Sequence, residues 1–233
     1  MDQFERFKLL VGNEDFDKIK NQRIVVLGVG GVGSFVVESL VRSGVENITI
    51  IDFDVIDITN LNRQLMTNLG NIGKSKVDEI EKRALKINKN IKIKKIKDFI
   101  TPENIDNIFI DDIDYFIDCC DSIKTKEAVI LKCLEKRIKF ITCCGMGRRL
   151  DPSKIEIQDL KKTSYDPLAK KLREFMNKNK INKRIICCCS KEQPIKSDNK
   201  TISSNSFVPS SAGLLITSYI IRNILGDNNA RLW

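Results

Sequence analysis

A chain of 233 residues with 42% apolar and 30% charged residues can bury a core of its own, which excludes a wholly disordered or fibrous protein. Forty Lys and Arg against 31 Asp and Glu give a net charge of +9. That favours an anionic partner such as RNA, but a chain so rich in Lys, Ile and Asn also carries such charge as ordinary solvated surface.

There is no histidine, so the usual neutral-pH base and a common metal ligand are missing. The eight cysteines, at 119, 120, 133, 143, 144, 187, 188 and 189, form no CxxC pair. A structural zinc site of the usual spacing is therefore not expected. Cysteines at the ends of apolar runs read as small buried hydrophobes of a reduced, cytoplasmic protein. The opening Met1-Asp-Gln-Phe-Glu-Arg6 has neither signal nor transit character.

Residues 2–20 mix charged and apolar side chains and predict short helices, with Phe4, Phe7, Leu10 and Val11 on one face. Residues 24–27 are a β-branched and apolar run, the pattern of a buried parallel strand. Gly28, Gly30, Gly31 and Gly33 follow, and residues 32–43 then show helical spacing, with Gly44 suited to the position after a helix end. A second strand is expected over 47–51 and a loop or short helix over 59–64. A helix over 74–87 carries Val77, Ile80, Ala84 and Ile87 on one face. Residues 91–96 alternate Ile and Lys as in a half-exposed strand, and Thr101-Pro102 signals a short helix over 102–109. Strand 115–119, helix 122–136 and strand 140–144 complete an alternation that implies a mainly parallel sheet.

The rhythm changes after Asp151-Pro152. Residues 155–160 read as a strand, 166–175 as a helix, 184–189 as a strand, 191–205 as a polar and mobile segment, and 210–225 as an apolar helix. The expected division is a nucleotide-binding core over 1–150, with its N-terminal helical arm, and an extension over 151–233 packed on it as one compact domain. No charge occurs from Thr201 to Ile221, so a membrane span is conceivable. Pro209 and five serines interrupt its first half, which favours a core or dimer-interface helix.

Strand, glycine turn and helix form the layout of a phosphate site, because the helix start presents free amides and a partial positive charge. Gly28-x-Gly30-x-x-Gly33, with Asp52 nineteen residues on, also satisfies the dinucleotide fingerprint. Further groups argue against hydride transfer. Asp52 and Asp54 put two carboxylates at the mouth of the site. Asn60, Asn62, Arg63 and Gln64 add amides and a cation, and Lys76 lies near the start of the next helix. Cations suit developing phosphate charge, and a carboxylate suits a metal ion. The stretch Asp118-Cys-Cys-Asp121 follows a predicted strand, at the end where ligands bind in such sheets.

These stretches together resemble the ATP-dependent activating superfamily, which includes the enzymes that adenylate ubiquitin and the sulfur-carrier proteins. The resemblance implies a Rossmann-like α/β fold, ATP and Mg2+ at the glycine loop, and transfer of AMP to a carboxylate. It implies Asp52 on the ribose, Arg63 and Lys76 on the phosphates, and Asp121 on the magnesium. Arg6, in Arg6-Phe-Lys-Leu-Leu-Val-Gly12, resembles the N-terminal arginine that reaches the ATP of a partner subunit, so a homodimer is expected.

Within the superfamily the resemblance is closer to the branch acting on threonylcarbamoyladenosine in tRNA. It is carried by Arg42-Ser-Gly-Val45, Thr59-Asn-Leu-Asn-Arg-Gln64, Gly145-Met-Gly-Arg-Arg-Leu-Asp-Pro152, Asp166-Pro-Leu-Ala-Lys-Lys-Leu-Arg173 and Cys189-Ser-Lys-Glu-Gln-Pro194. It implies adenylation of the threonyl carboxylate and intramolecular ring closure, a reaction needing no enzyme nucleophile. Arg148, Arg149, Lys170, Lys171 and Arg173 are the candidate tRNA contacts, within a basic C-terminal part. Cys119-Cys120 and Cys187–Cys189 depart from the pattern expected, and the chain after Pro194 matches it weakly. The alternatives are activation of a small carrier protein, with one of Cys187–Cys189 as a thioester cysteine, and an ATP-sensing or RNA-binding module without turnover. A cysteine-desulfurase or sulfur-acceptor partner, and peripheral membrane contact through 207–225, are left open.

Overall fold

The computed structural model describes residues 2–199 and 201–226. Two short helices, α1 (Glu5–Val11) and α2 (Asn13–Lys20), lead into β1 (Arg23–Leu27), α3 (Gly33–Arg42) and β2 (Asn47–Ile51). Then come α4 (Lys76–Ile87), β3 (Lys92–Ile96), β4 (Tyr115–Asp118), α5 (Ile123–Lys136) and β5 (Lys139–Cys143). The chain continues through β6 (Ile155–Asp159), α6 (Pro167–Lys178), β7 (Ile186–Ser190) and α7 (Phe207–Ile224).

The strands form one sheet in the order β3-β2-β1-β4-β5-β7-β6. All neighbours pair in parallel except β6 with β7. The two strands after residue 150 thus extend the same sheet as the first five. Alternation along β1 explains its unbroken apolar sequence. Ile24 and Val26 enter a layer with Val36, Leu40, Ile216 and Ile220. Val25 and Leu27 enter the opposite layer with Phe116, Val129, Ile130 and Leu172. A central strand covered on both faces has no solvent side to keep polar. The edge strand β3 reads KIKKI, and its lysines discourage pairing with another chain.

Strand order reverses between β1 and β4, so their carboxyl ends open a crevice, the position where ligands enter sheets of this kind. The boundaries expected from periodicity agree with the structure within a few residues, with three corrections. Residues 102–109 form no α-helix; there is only a 3-10 turn, Ile105–Ile108. The Asn104 amide takes the Thr101 N–H at 2.7 Å and donates to the Phe99 carbonyl at 3.0 Å, a local side-chain solution that competes with a helix. Leu10 does not join Phe4 and Phe7 on Phe16 but is 78% exposed. Pro209 does not interrupt α7. It lies in the first turn, where no intrahelical N–H is needed, so the helix begins at Phe207. Among the described residues no helix is long and apolar enough to cross a membrane.

Candidate active site

The glycine turn is built for contact, not only for chain reversal. Gly28 has φ +81°, and a Cβ there would lie 2.9 Å from the Cys120 backbone nitrogen. A Cβ on Gly33 would sit 1.9 Å from the Gly28 carbonyl oxygen. Any side chain at either position would force β1, α3 and the loop after β4 apart. No side chain caps the start of α3, which leaves this end of the helix to an anionic ligand. Gly28, Gly30 and Gly31 line a cleft of about 760 Å³.

The same cleft is lined by Asp52, Asp54, Asn60, Arg63, Gln64, Lys76 and Asp121. Asp52, just past β2, accepts the Val29 N–H at 2.8 Å and the Asp54 N–H at 2.9 Å. Burial pushes its carboxyl above the ordinary value, against the pull of Lys76 and those two amides. Lys76 opens α4 and is 4% exposed; its Nζ pairs with Asp54 Oδ2 at 2.6 Å. Buried Asn60 closes a capping box by accepting the Asp57 N–H at 3.1 Å. Arg63 donates to the Thr59 carbonyl at 2.8 Å and to Asn62 Oδ1 at 3.0 Å. Gln64 is buried at the cleft, with its Oε1 lacking a hydrogen-bond partner among the described residues. That orphaned acceptor fits a ligand donor.

Three expected residues fall outside this set: Gly33, packed against the Gly28 carbonyl, and Asn62 and Arg6. Asn62 does not line the cleft; it is exposed and donates to the Ser204 carbonyl at 3.0 Å. Arg6 is exposed on α1 and is not among the groups lining the cleft of its own chain.

The loop after β4 divides its two aspartates. Asp121 is exposed at the cleft. Asp118 is fully buried, paired with Lys126 of α5 at 2.9 Å, and accepts from Thr142 Oγ1 at 2.7 Å. Sequence reasoning missed Lys126. The signal was available: Lys126 shares a helical stripe with Val129, Ile130 and Cys133, all buried. Burial alone would lower its pKa, but the Asp118 carboxylate keeps it raised and the ammonium charged. The Cys119 and Cys120 thiols, pushed well up by burial, are poor nucleophiles. Cys187, Cys188 and Cys189 are at most 1% exposed in β7. A thioester cysteine must be reachable, so none of the three is placed for that role.

The far wall corrects the expectation for Arg149. It is 2% exposed and pairs with Asp166, itself buried, at 3.1 Å. It also donates to the carbonyls of Gly145 and Glu192. Asp166 in turn caps α6 by accepting the Ala169 N–H at 2.8 Å. The pair is a clamp joining two loops in the cleft wall, and it engages the Arg149 guanidinium within the protein. Arg173 is likewise spent on Thr163, donating to its carbonyl at 3.0 Å and to its hydroxyl. Arg148 lines the cleft, and Lys170 and Lys171 are exposed on α6.

No group of three or more Cys, Asp or Glu among the described residues could cage a metal ion. Mg2+ fits nonetheless, because it is commonly held by one or two carboxylates together with substrate phosphates. Asp121 and Asp98 are exposed carboxylates lining the cleft, and Asp121 lies on the loop beside the glycine turn.

A glycine cradle, part-buried carboxylate, lysine and arginine around one crevice define a Rossmann-like nucleotide-binding protein suited to phosphate chemistry. The chain belongs to the ThiF family, whose model matches residues 4–231. It is 38% identical to the tRNA threonylcarbamoyladenosine dehydratase of Bacillus subtilis, over 97% of this chain and 95% of that one. The crystal structure of the Escherichia coli enzyme of that name, in complex with AMP, superposes with a TM-score of 0.91 at 30% identity, covering 98% of this chain and 96% of the other. Likeness to the molybdopterin-synthase adenylyltransferase of Escherichia coli is more distant, at 25% identity over 58% of this chain and 55% of that one.

Proposed function

We propose that this protein uses ATP to dehydrate threonylcarbamoyladenosine in tRNA to its cyclic form. The observation that carries the reading is the convergence of the glycine turn, Asp52, Arg63, Lys76 and Asp121 on one cleft. The full-length similarity to dehydratases of this substrate selects it over carrier-protein activation.

In this reading the threonyl carboxylate attacks the α-phosphate of ATP and pyrophosphate leaves. The carbamoyl group of the same modification then closes a ring on the activated carbonyl and expels AMP. The reacting groups belong to one nucleoside, so the closure benefits from high effective concentration and requires no protein nucleophile. Catalysis is positioning and charge stabilisation. Asp52 holds the ribose, and the amides of the glycine turn face the phosphates. Asn60 and Gln64 supply polar contacts at the cleft floor. Lys76 exchanges Asp54 for a phosphate oxygen, and Arg63 approaches from the opposite loop. Asp121 would hold Mg2+ together with the phosphates, and the ion would supply charge neutralisation there.

Arg148, Lys170 and Lys171 meet the tRNA. The protein works as a homodimer in the cytoplasm, with Arg6 entering its partner's cleft. The apolar surface on α1 and α7 supports self-association: Leu9 is 79%, Leu10 78% and Leu214 51% exposed. We assign no described residue to a sulfur-acceptor partner or a membrane surface.

Nucleoside mass spectrometry of tRNA incubated with the protein and ATP-Mg tests the reading. The expected product is threonylcarbamoyladenosine less one water, absent with Lys76→Ala. Unchanged nucleoside after incubation with the native protein would sink it.

A further inference from the structure

Lys126 is the one lysine with no exposure among the described residues, and the reaction above does not use it. Its ammonium makes three contacts, each to the frame of the cleft. It donates to Asp118 Oδ2 at 2.9 Å, to the Asp118 carbonyl at 3.5 Å and to Thr142 Oγ1 at 3.1 Å. Thr142 donates its own proton to Asp118 Oδ2 at 2.7 Å. The other carboxylate oxygen, Oδ1, accepts the Cys120 N–H at 3.1 Å.

The carboxylate therefore bridges two parts of the molecule. One oxygen is tied to α5 and β5, the other to the loop that carries Asp121. That loop also abuts the glycine turn: the position of a Cβ on Gly28 is 2.9 Å from the Cys120 nitrogen, and that of a Cβ on Gly33 is 3.4 Å from Cys119 Cβ. Ser122 caps α5 at the far end of the loop, so the segment between Asp118 and Ser122 is anchored at both ends. Apolar side chains could fill this space as well. A charged, fully bonded group instead fixes one geometry for the loop, which packing alone specifies less sharply.

We propose that Lys126 and Thr142 are positioning residues of the adenylation site, acting through Asp118 to hold Asp121 in register with the glycine turn. The inference rests on the dehydratase reading for its kinetic test but not for its structural one.

Thr142→Val keeps the shape of the side chain and removes one bond to Asp118. Lys126→Met removes the charge, and Thr142→Val serves alone if that variant does not fold. With folding confirmed by thermal melting, steady-state AMP formation on modified tRNA should fall roughly 10–100-fold in kcat, with KM for tRNA unchanged. In an Asp121→Asn background the same substitution should cost little more, because its effect runs through Asp121. Native kcat in Thr142→Val, or a full multiplicative loss in the double variant, overturns the proposal. If the native protein leaves the tRNA unaltered, the dehydratase reading has failed, and amide hydrogen exchange decides this inference by itself. Faster exchange at Cys120 in Thr142→Val sustains it; unchanged exchange refutes it.

Discussion

Lys76 and Asp54 are paired at 2.6 Å with the lysine buried and the aspartate half exposed, which holds the ammonium at the cleft, where the proposed reaction brings phosphate. Its replacement leaves developing charge unanswered in a partly dry site. Lys76→Ala or Arg63→Ala should each lower turnover on modified tRNA by about 10²–10³-fold, read as kcat in steady-state assays. Arg6 calls for a different measurement, since its proposed action is on the other subunit. Arg6→Ala and Lys76→Ala proteins, each inactive alone, should recover activity when mixed, because one cleft of each mixed dimer is intact. No recovery on mixing would place Arg6 outside the partner's site. At this scale the glycine turn, Asp52, Arg63, Lys76 and Asp121 were legible because their spacing is local and their chemistry distinctive. Asp118 with Lys126 and Thr142 was not, because its members stand eight and 24 residues from Asp118 and meet only through the sheet.

Between elements, charged side chains do two different jobs. Glu38 on α3 receives Arg83 of α4 through two hydrogen bonds of 2.8 and 2.9 Å. Burial alone would raise the Glu38 carboxyl, but Arg83 and Arg42 outweigh it and hold it below the ordinary 4.5. A depressed carboxylate pKa contributes stability above the unfolded value and loses it as pH falls through the folded one. Glu38→Gln should therefore cost about 1 kcal/mol at pH 7, after allowance for solvent screening. That gap should close below pH 4.5 in denaturant titrations across pH. The Arg149–Asp166 pair is far more buried, and breaking it strands a charge. Arg149→Ala should lower stability by about 3–5 kcal/mol in urea unfolding, whereas exposed Lys170→Ala with Lys171→Ala should stay within about 0.5 kcal/mol of native. Periodicity revealed nearly every strand and helix here because each buries a face or a stripe. It failed over 102–109, where the Asn104 side chain satisfies the backbone without a helix.

Over the whole molecule the charge of +9 is spread unevenly, with Lys161, Lys162, Lys170, Lys171, Lys178, Lys180 and Lys183 all exposed in the C-terminal part. Phosphate contacts release counterions, so tRNA affinity should fall steeply as salt rises. The double substitution of Lys170 and Lys171 by Ala should flatten the slope of log affinity against log salt by about one per lysine lost. A slope equal to that of the native protein would move the RNA to another face.

The sequence alone determined the alternation of strands and helices, the glycine turn and the family, because these depend on neighbours within a few residues. Only the tertiary structure decided which polar residues stand open at the cleft and which are tied into buried pairs. Asp118 and Asp121 are three residues apart and look alike in sequence, as do Arg148 and Arg149. Asp121 and Arg148 line the cleft and keep some exposure, whereas Asp118 behind it and Arg149 in its wall are each buried against a charge of opposite sign. That sorting is set by burial, because an ion removed from water must find its partner inside the fold.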